Sequence, residues 1–332
     1  MSETNLQVLL ARRPRGPVQE ADFRLAESPI PAPGEGELLL RLRWLSLDPY
    51  MRGRMNEGRS YAARVELGEV MVGGAVAEVL ASRHPGFAPG ERVVGSLGWQ
   101  RYALSNGRGL MKLPDPRLPE TVWLGAAGMP GVTAWHGLQR IGEPKAGETV
   151  VVSAAAGAVG GVAGQLARIA GCRTVGIAGG PEKCEYAVRD LGYDACLDYR
   201  AGGLDESLRA AAPEGVDVYF DNVGGAILDS VLRRVNPFAR IPLCGLIAGY
   251  DGAEIPIRNV FALLASRVRL QGFIISDHMD EWPGAIRELA GHVAGGAIRY
   301  RECVAEGLEN APRAFIGMLR GENLGKQLVR VA

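Results

Sequence analysis

Cysteine and histidine are the scarce residues here, and their scarcity excludes several kinds of chemistry. The 332 residues include five cysteines, Cys172, Cys184, Cys196, Cys244 and Cys303, an odd number with no C-x-x-C pair. Neither a disulfide framework nor a zinc ribbon is indicated, and a reducing, cytoplasmic setting is expected. No cysteine precedes Cys172, and only His84 and His136 precede it among the four histidines. The N-terminal third therefore cannot assemble a catalytic zinc site, no metal is expected, and each histidine is expected to stand alone on a surface or helix. An excess of either charge is also missing: Lys plus Arg and Asp plus Glu both number 37, which leaves no electrostatic footprint for nucleic acid or an anionic membrane. There is no G-x-S-x-G elbow to support hydrolysis. The opening "MSETNLQVLLARRPRGPV" has too short an apolar patch, with its basic residues on the wrong side, so no export signal is expected.

What is present includes one long uncharged run, "TVVVSAAAGAVGGVAGQLA" at 149–167. Its length and its G-x-x-x-G spacings are compatible with a membrane helix. Most of it, however, is Ala and Gly, which do little to drive insertion into lipid. The period also changes partway. Val150, Val151 and Val152 form a β-branched strand, whereas Val159, Val162, Ala163, Leu166, Ile169 and Ala170 fall on one helical face. The run reads as a strand, a turn and a helix. The turn, "AAGAVG", has the form A-x-G-x-x-G, in which Gly157 allows a pyrophosphate to approach the backbone and Gly160 allows the helix to pack on the strand. Alone, such a turn also occurs for packing reasons; the repeats downstream favour the nucleotide.

The flanking regions differ in rhythm. The first third alternates short β-type runs such as "ELLLRLRWLSL", "VMVGGAVAEVL" and "GERVVGSLGWQRYAL" with Pro and Gly punctuation. From Val150 strands and amphipathic helices alternate, the pattern of a parallel sheet covered on both faces. An NAD site usually carries an acid at the end of its second strand. Here that strand ends "GIAGG" with no carboxylate, while Lys183, Tyr199 and Arg200 follow, so cations stand where a 2'-phosphate needs them and NADP(H) is expected. Glu182 leaves a 2'-hydroxyl reading open.

The motifs "LSLDPYMRGRM", "GMPGVTAWHGL", "AAAGAVG", "DNVGG", "CGLIAGY", "LQGFII" and "GLENAPRAFIGMLRGENLGK" occur in this order over almost the whole chain. Together they resemble the zinc-free medium-chain dehydrogenase/reductases, within the leukotriene B4 12-hydroxydehydrogenase and prostaglandin reductase group and its bacterial curcumin-reductase branch. That resemblance implies a Rossmann doubly wound parallel sheet inserted into a GroES-like β-barrel domain: residues 1–122 completed by 297–332, with the NADP-binding domain at 123–296. It implies reduction of the carbon-carbon double bond of a small apolar enone or enal, and a homodimer joined through the strand near 268–275.

By the same resemblance Ala156, Gly157, Ala158, Val159 and Gly160 meet the pyrophosphate, Lys183 and Tyr199 the 2'-phosphate, and Asn222 the adenosine. Cys244, Gly245, Tyr250, Phe273, Ile274 and Ile275 flank the nicotinamide, and Asn323 reaches in from the tail. Tyr250 matches the family's tyrosine, whose phenol would donate to the substrate carbonyl oxygen as negative charge builds there. Tyr50, Tyr61, Trp99 and Met129 are candidates for an apolar substrate slot, with a core or rim position as the alternative for the aromatic ones. One departure stands out: Asp251 and "DGAEIPIRNV" replace the family's Asn and Pro/Gly-rich run after that tyrosine. A quinone reductase of the same superfamily and a non-catalytic NADPH-binding protein remain as alternatives.

Overall fold

A computed structural model describes residues 4–58 and 60–331. The chain divides into two compact units, one made of residues up to Leu124 together with those from Glu302 onward, the other of Gly125–Arg301. In the first, β1 (Asn5–Leu10) pairs antiparallel with β2 (Phe23–Ser28). There follow β3 (Leu38–Ser46), the short helix α1 (Tyr50–Arg54), β4 (Gly74–Ser82), β5 (Arg92–Ser96), β6 (Tyr102–Ser105) and β7 (Met111–Lys112). The second unit contains α2 (Met129–His136), β8 (Thr149–Ser153), α3 (Ala158–Ile169), β9 (Arg173–Ala178), α4 (Pro181–Arg189), β10 (Ala195–Asp198) and α5 (Leu204–Ala211). It continues through β11 (Val216–Phe220), α6 (Gly225–Leu232), β12 (Val235–Leu243), α7 (Val260–Ala265), β13 (Arg269–Gly272) and α8 (Trp282–Ala294). The first unit is then completed by β14 (Glu302–Glu306), α9 (Ala311–Leu319) and β15 (Lys326–Arg330).

The β unit is built on side-chain alternation. Leu38, Leu40 and Leu42 of β3 all point into its core, as the two-residue period of a strand requires. Its main sheet runs β14-β15-β3-β4-β5-β7, with β6 also paired to β3, and every pairing is antiparallel except that of β14 with β15. Beneath it Trp99 stacks on Phe23 with ring centroids 5.6 Å apart and meets the edge of Phe315 at 5.5 Å. This corrects the expectation for Trp99: it is wholly buried among core side chains and lines no substrate slot.

The second unit has six parallel strands in the order β10-β9-β8-β11-β12-β13. Numbered within the unit this is 3-2-1-4-5-6, the doubly wound order whose ligand crevice opens at the carboxyl ends of the two central strands, β8 and β11. Unit boundaries fall after Leu124 and after Arg301 rather than after 122 and 296. Leu124 is buried with Val76 and Leu328, whereas the backbone of Arg299 exchanges hydrogen bonds with Gln165 of α3 at 2.8 Å each way. Helix α3 also departs from the one-sided helix expected: it is buried all round from Gly160 to Ala167, while Ile169 and Ala170 are exposed. Among the described residues no helix is long and apolar enough to cross a membrane.

Candidate active site

The crevice begins where β8 ends. Ala154 takes a left-handed φ of +50° and turns the chain so that Gly157 caps α3, with no side chain bonded to the first turn of the helix. Backbone N–H groups are thus what the helix offers a ligand there, an arrangement suited to phosphate. A Cβ on Gly160 would lie 2.3 Å from the carbonyl oxygen of Ala154, and one on Gly157 would lie 3.1 Å from the same atom. The turn closes only because Gly160 is glycine. Ala156 is buried, so its contribution to a ligand is limited to the backbone, while Ala158 and Val159 are half-buried.

Across the crevice, β11 runs into Asp221 and Asn222. The Asn222 backbone N–H donates to Ser153 Oγ at 2.9 Å and its side-chain amide donates to the Ser153 carbonyl at 2.8 Å, joining the ends of the two central strands. Asp221 is fully buried. Its Oδ1 accepts from Ser153 Oγ, from the Tyr219 hydroxyl, and from the backbone N–H groups of Val223 and Gly224. Burial raises its pKa against the pull of those donors. The sequence reading used this residue only as part of "DNVGG"; its role in shaping the 221–224 turn depends on strand neighbours that are far apart in the chain.

The expected 2'-phosphate corner is assembled at the end of β9. Tyr199 and Arg200 lie in a short helical turn directly after β10. A Cβ on Gly179 would be 2.9 Å from Arg200 Nε and 3.0 Å from the Tyr199 hydroxyl, so both side chains lean over the end of the second strand. Asp198 stays below, its Oδ1 accepting from the backbone N–H groups of Gly180 at 2.8 Å and Arg200 at 2.9 Å. Lys183, half-buried in the first turn of α4, has its pKa lowered first by burial and then by the charge of Arg200. An anion placed there would favour the charged ammonium and offset the repulsion from Arg200.

Tyr250 follows the single turn Ile247–Gly249 beyond β12 and is half-buried. Its hydroxyl returns over the strand end, 3.4 Å from where a Cβ on Gly245 would sit, and the same Cβ would be 3.3 Å from the Asn222 carbonyl. Cys244, Gly245, Asn222 and the Tyr250 hydroxyl are therefore neighbours. Burial and then Asp221 push the Cys244 thiol up to about 12, which keeps it protonated at neutral pH. Phe273, Ile274 and Ile275 follow β13, all half-buried.

Met129 is half-buried at the start of α2, its carbonyl accepting from Thr133 Oγ1 at 2.7 Å. In the β unit, Tyr50 is half-buried at the start of α1, and burial, followed by the charge of Asp48, raises its phenol pKa far above the usual range. Tyr61 is 60% exposed. The side-chain amide of Asn323 donates to the Gly325 carbonyl at 2.8 Å. Two histidines expected to stand alone do not: the ring of His136 is buried and stacks on that of His278, with centroids 4.0 Å apart. Among the described residues no group of three or more His, Cys, Asp or Glu is placed to hold a metal ion.

Comparison with known proteins accords with this arrangement. Residues 6–113 match a family described as the N-terminal domain of oxidoreductase, and residues 158–291 match one described as zinc-binding dehydrogenase. The chain is 48% identical to the NADPH-dependent curcumin reductase of Escherichia coli (strain K12), over 99% of this chain and 98% of that protein. It is 37% identical to the NADP(+)-dependent 2-alkenal reductase of Nicotiana tabacum, over 99% and 98% respectively. The crystal structure of CurA from Vibrio vulnificus in complex with NADPH superposes with a TM-score of 0.94 at 46% identity, covering 98% of this chain and 99% of that one. On sequence and fold together, the chain belongs to the medium-chain dehydrogenase/reductase family, in the group that also holds the prostaglandin reductases.

Proposed function

We propose that the protein is an NADPH-dependent reductase of the carbon-carbon double bond of α,β-unsaturated ketones and aldehydes. The observation that carries the cofactor choice is the corner at Gly179, where Arg200 and Tyr199 lean over the strand end, Lys183 feels the charge of Arg200, and Asp198 is engaged by the backbone N–H groups of Gly180 and Arg200. The relatives' names support the reaction class. When bound, NADPH would supply the hydride taken up at the β-carbon of the enone, and water the proton taken up at the α-carbon.

The chain's own residues supply binding and charge stabilisation. Backbone N–H groups at Ala158, Val159 and Gly160 hold the pyrophosphate, Lys183, Arg200 and Tyr199 hold the 2'-phosphate, and Asn222 borders the adenosine. Gly245, beside the protonated thiol of Cys244, lets the Tyr250 hydroxyl stand over the strand end. A phenol is neutral at ordinary pH and can donate to the substrate carbonyl oxygen, where charge develops as the β-carbon is reduced. Tyr50, Tyr61 and Met129 remain candidates for the apolar body of the substrate, and Asn323 for the nucleotide, on the family resemblance alone.

No zinc takes part in this reading, since the first cysteine is Cys172; a chelator should leave turnover unchanged. A homodimer is proposed through β13, the edge strand of the parallel sheet, flanked by the exposed apolar residues Val260, Phe261 and Leu264 of α7. Five unpaired thiols fit a reducing cytoplasm. The deciding experiment follows NADPH and NADH oxidation side by side across a panel of small enones, enals and quinones. Enones and enals should be consumed with NADPH preferred; activity confined to quinones, or none with any acceptor, would overturn the proposal.

A further inference from the structure

Beyond β13 the chain passes through Phe273 and Ile274 into a single turn, Ile275–His278, before α8 begins at Trp282. This short segment is fastened to the C-terminal end of α2 at several points, and most of them converge on one imidazole. The His136 ring stacks on His278 at 4.0 Å and 29°, and lies 5.3 Å from the Phe273 ring. Its Nδ1 is hydrogen-bonded to Glu281 Oε2 at 2.7 Å, while Arg140 Nε donates to Glu281 Oε1 at 3.0 Å. A carboxylate can only accept, which places the ring proton on Nδ1. Next along the helix, Gly137 makes room for Phe273: a Cβ there would be 2.8 Å from the Phe273 ring. Trp282 Nε1 donates to the Ile275 carbonyl at 3.2 Å, closing the turn from its far side.

We propose that His136 is a positioning residue for the nicotinamide end of the cofactor: bonded to Glu281 and stacked on His278, it holds segment 273–275 in the placement that aims the nicotinamide. The inference rests on the reductase reading above and on segment 273–275 following β13 at the carboxyl edge of the parallel sheet, the edge where this fold binds its ligand. A buried imidazole is costly without a partner, so the Glu281 bond and the two ring contacts fix His136 as much as His136 fixes them. Burial tends to raise the Glu281 carboxyl, but His136 and Arg140 outweigh it and the net shift is downward, keeping the acceptor charged. The adenosine and pyrophosphate are held elsewhere, by the α3 terminus and the Lys183–Arg200 corner. Loosening 273–275 therefore disturbs aim more than affinity.

The test uses the intact protein and two substitutions, His136→Ala and His136→Asn, the second of which keeps an N–H near the Nδ1 position. Fluorescence anisotropy of bound NADPH, read from the nicotinamide emission, reports its restraint without turnover. A titration gives Kd, and saturating kinetics give kcat. For His136→Ala the anisotropy should fall and kcat should drop about tenfold to hundredfold, the scale of a misplaced reacting atom, with Kd nearly unchanged. His136→Asn should recover most of both. Unchanged anisotropy and kcat in His136→Ala, a weaker Kd with kcat intact, or no recovery in His136→Asn would each overturn the role. Should His136→Ala not fold, Glu281→Ala removes the same bond and is read by the same criteria. A wild-type protein that binds NADPH but reduces no enone would defeat the reductase reading alone, because the anisotropy comparison would still report on His136.

Discussion

The two units keep their interiors in opposite ways. In the β unit large side chains do the filling: Trp99, Phe23 and Phe315 pack ring against ring, with Met51, Met55 and the inward leucines of β3 around them. In the parallel-sheet unit, close approach depends on what is missing. A Cβ on Gly164 would fall 2.0 Å from the Tyr193 ring, one on Gly131 would fall 1.9 Å from the Ala126 carbonyl, and one on Gly160 would fall 2.3 Å from that of Ala154. The first strategy yields stability through buried area. The second yields bare backbone at helix and strand ends, which is what a phosphate can use. Binding groups therefore concentrate where side chains have been given up, and an aromatic residue in the β unit is weak evidence for a ligand.

Substitutions in each unit should separate these roles. The largest effect on folding is expected from Trp99→Ala, at about 3–5 kcal/mol of lost stability. Chemical denaturation measures it, and NADPH affinity of the remaining folded protein should be unaltered; a selective loss of substrate binding at full stability would restore Trp99 to the site. Tyr250→Phe should do the reverse, leaving stability and NADPH affinity in place while kcat falls about 10²–10³-fold, on the order of 2.7–4 kcal/mol for one lost donor to developing charge. Steady-state kinetics at saturating NADPH decide it.

Lys183→Ala should weaken NADPH by about 1.5–3 kcal/mol while hardly touching NADH, as the loss of a charge-assisted contact predicts. The pH dependence has a definite sign. Because the Lys183 pKa is lowered, NADPH affinity in the wild type should decline as pH rises through that depressed value, earlier than for an ordinary lysine, and calorimetric titrations in alkaline buffers should show no such decline in the variant. Gly160→Ala sets a Cβ against the Ala154 carbonyl, backbone that cannot swing aside, and should cost about 3 kcal/mol or more, seen as a lower Tm. Here stability and nucleotide affinity should fall together, because the same turn serves both.

Legibility in the sequence followed the range of the forces involved. The strand, turn and helix at 149–167 could be read because valine spacing and glycine placement act within a few residues. The missing acid after "GIAGG" could be read for the same reason. Trp99 was misjudged because a tryptophan near punctuated strands looks the same whether it faces a ligand or Phe23, and Phe23 is 76 positions away in the chain, 99 less 23. Ile169 fits a helical stripe by spacing, yet it is the last residue of α3 and stands exposed. His136 and His278 gave no local sign of meeting, since 142 positions separate them, 278 less 136.

By itself the sequence determined the order of strands and helices, the glycines of the phosphate turn and the absence of an early cysteine, since these depend on local sterics and on residue type alone. Tertiary structure decided which aromatic rings fill the β unit, how Asp221 and Ser153 join the central strand ends, and that one imidazole gathers Phe273, His278 and Glu281. Those outcomes depend on side chains brought together across more than 60 residues, where burial and hydrogen-bond partners, rather than spacing, set what each group does.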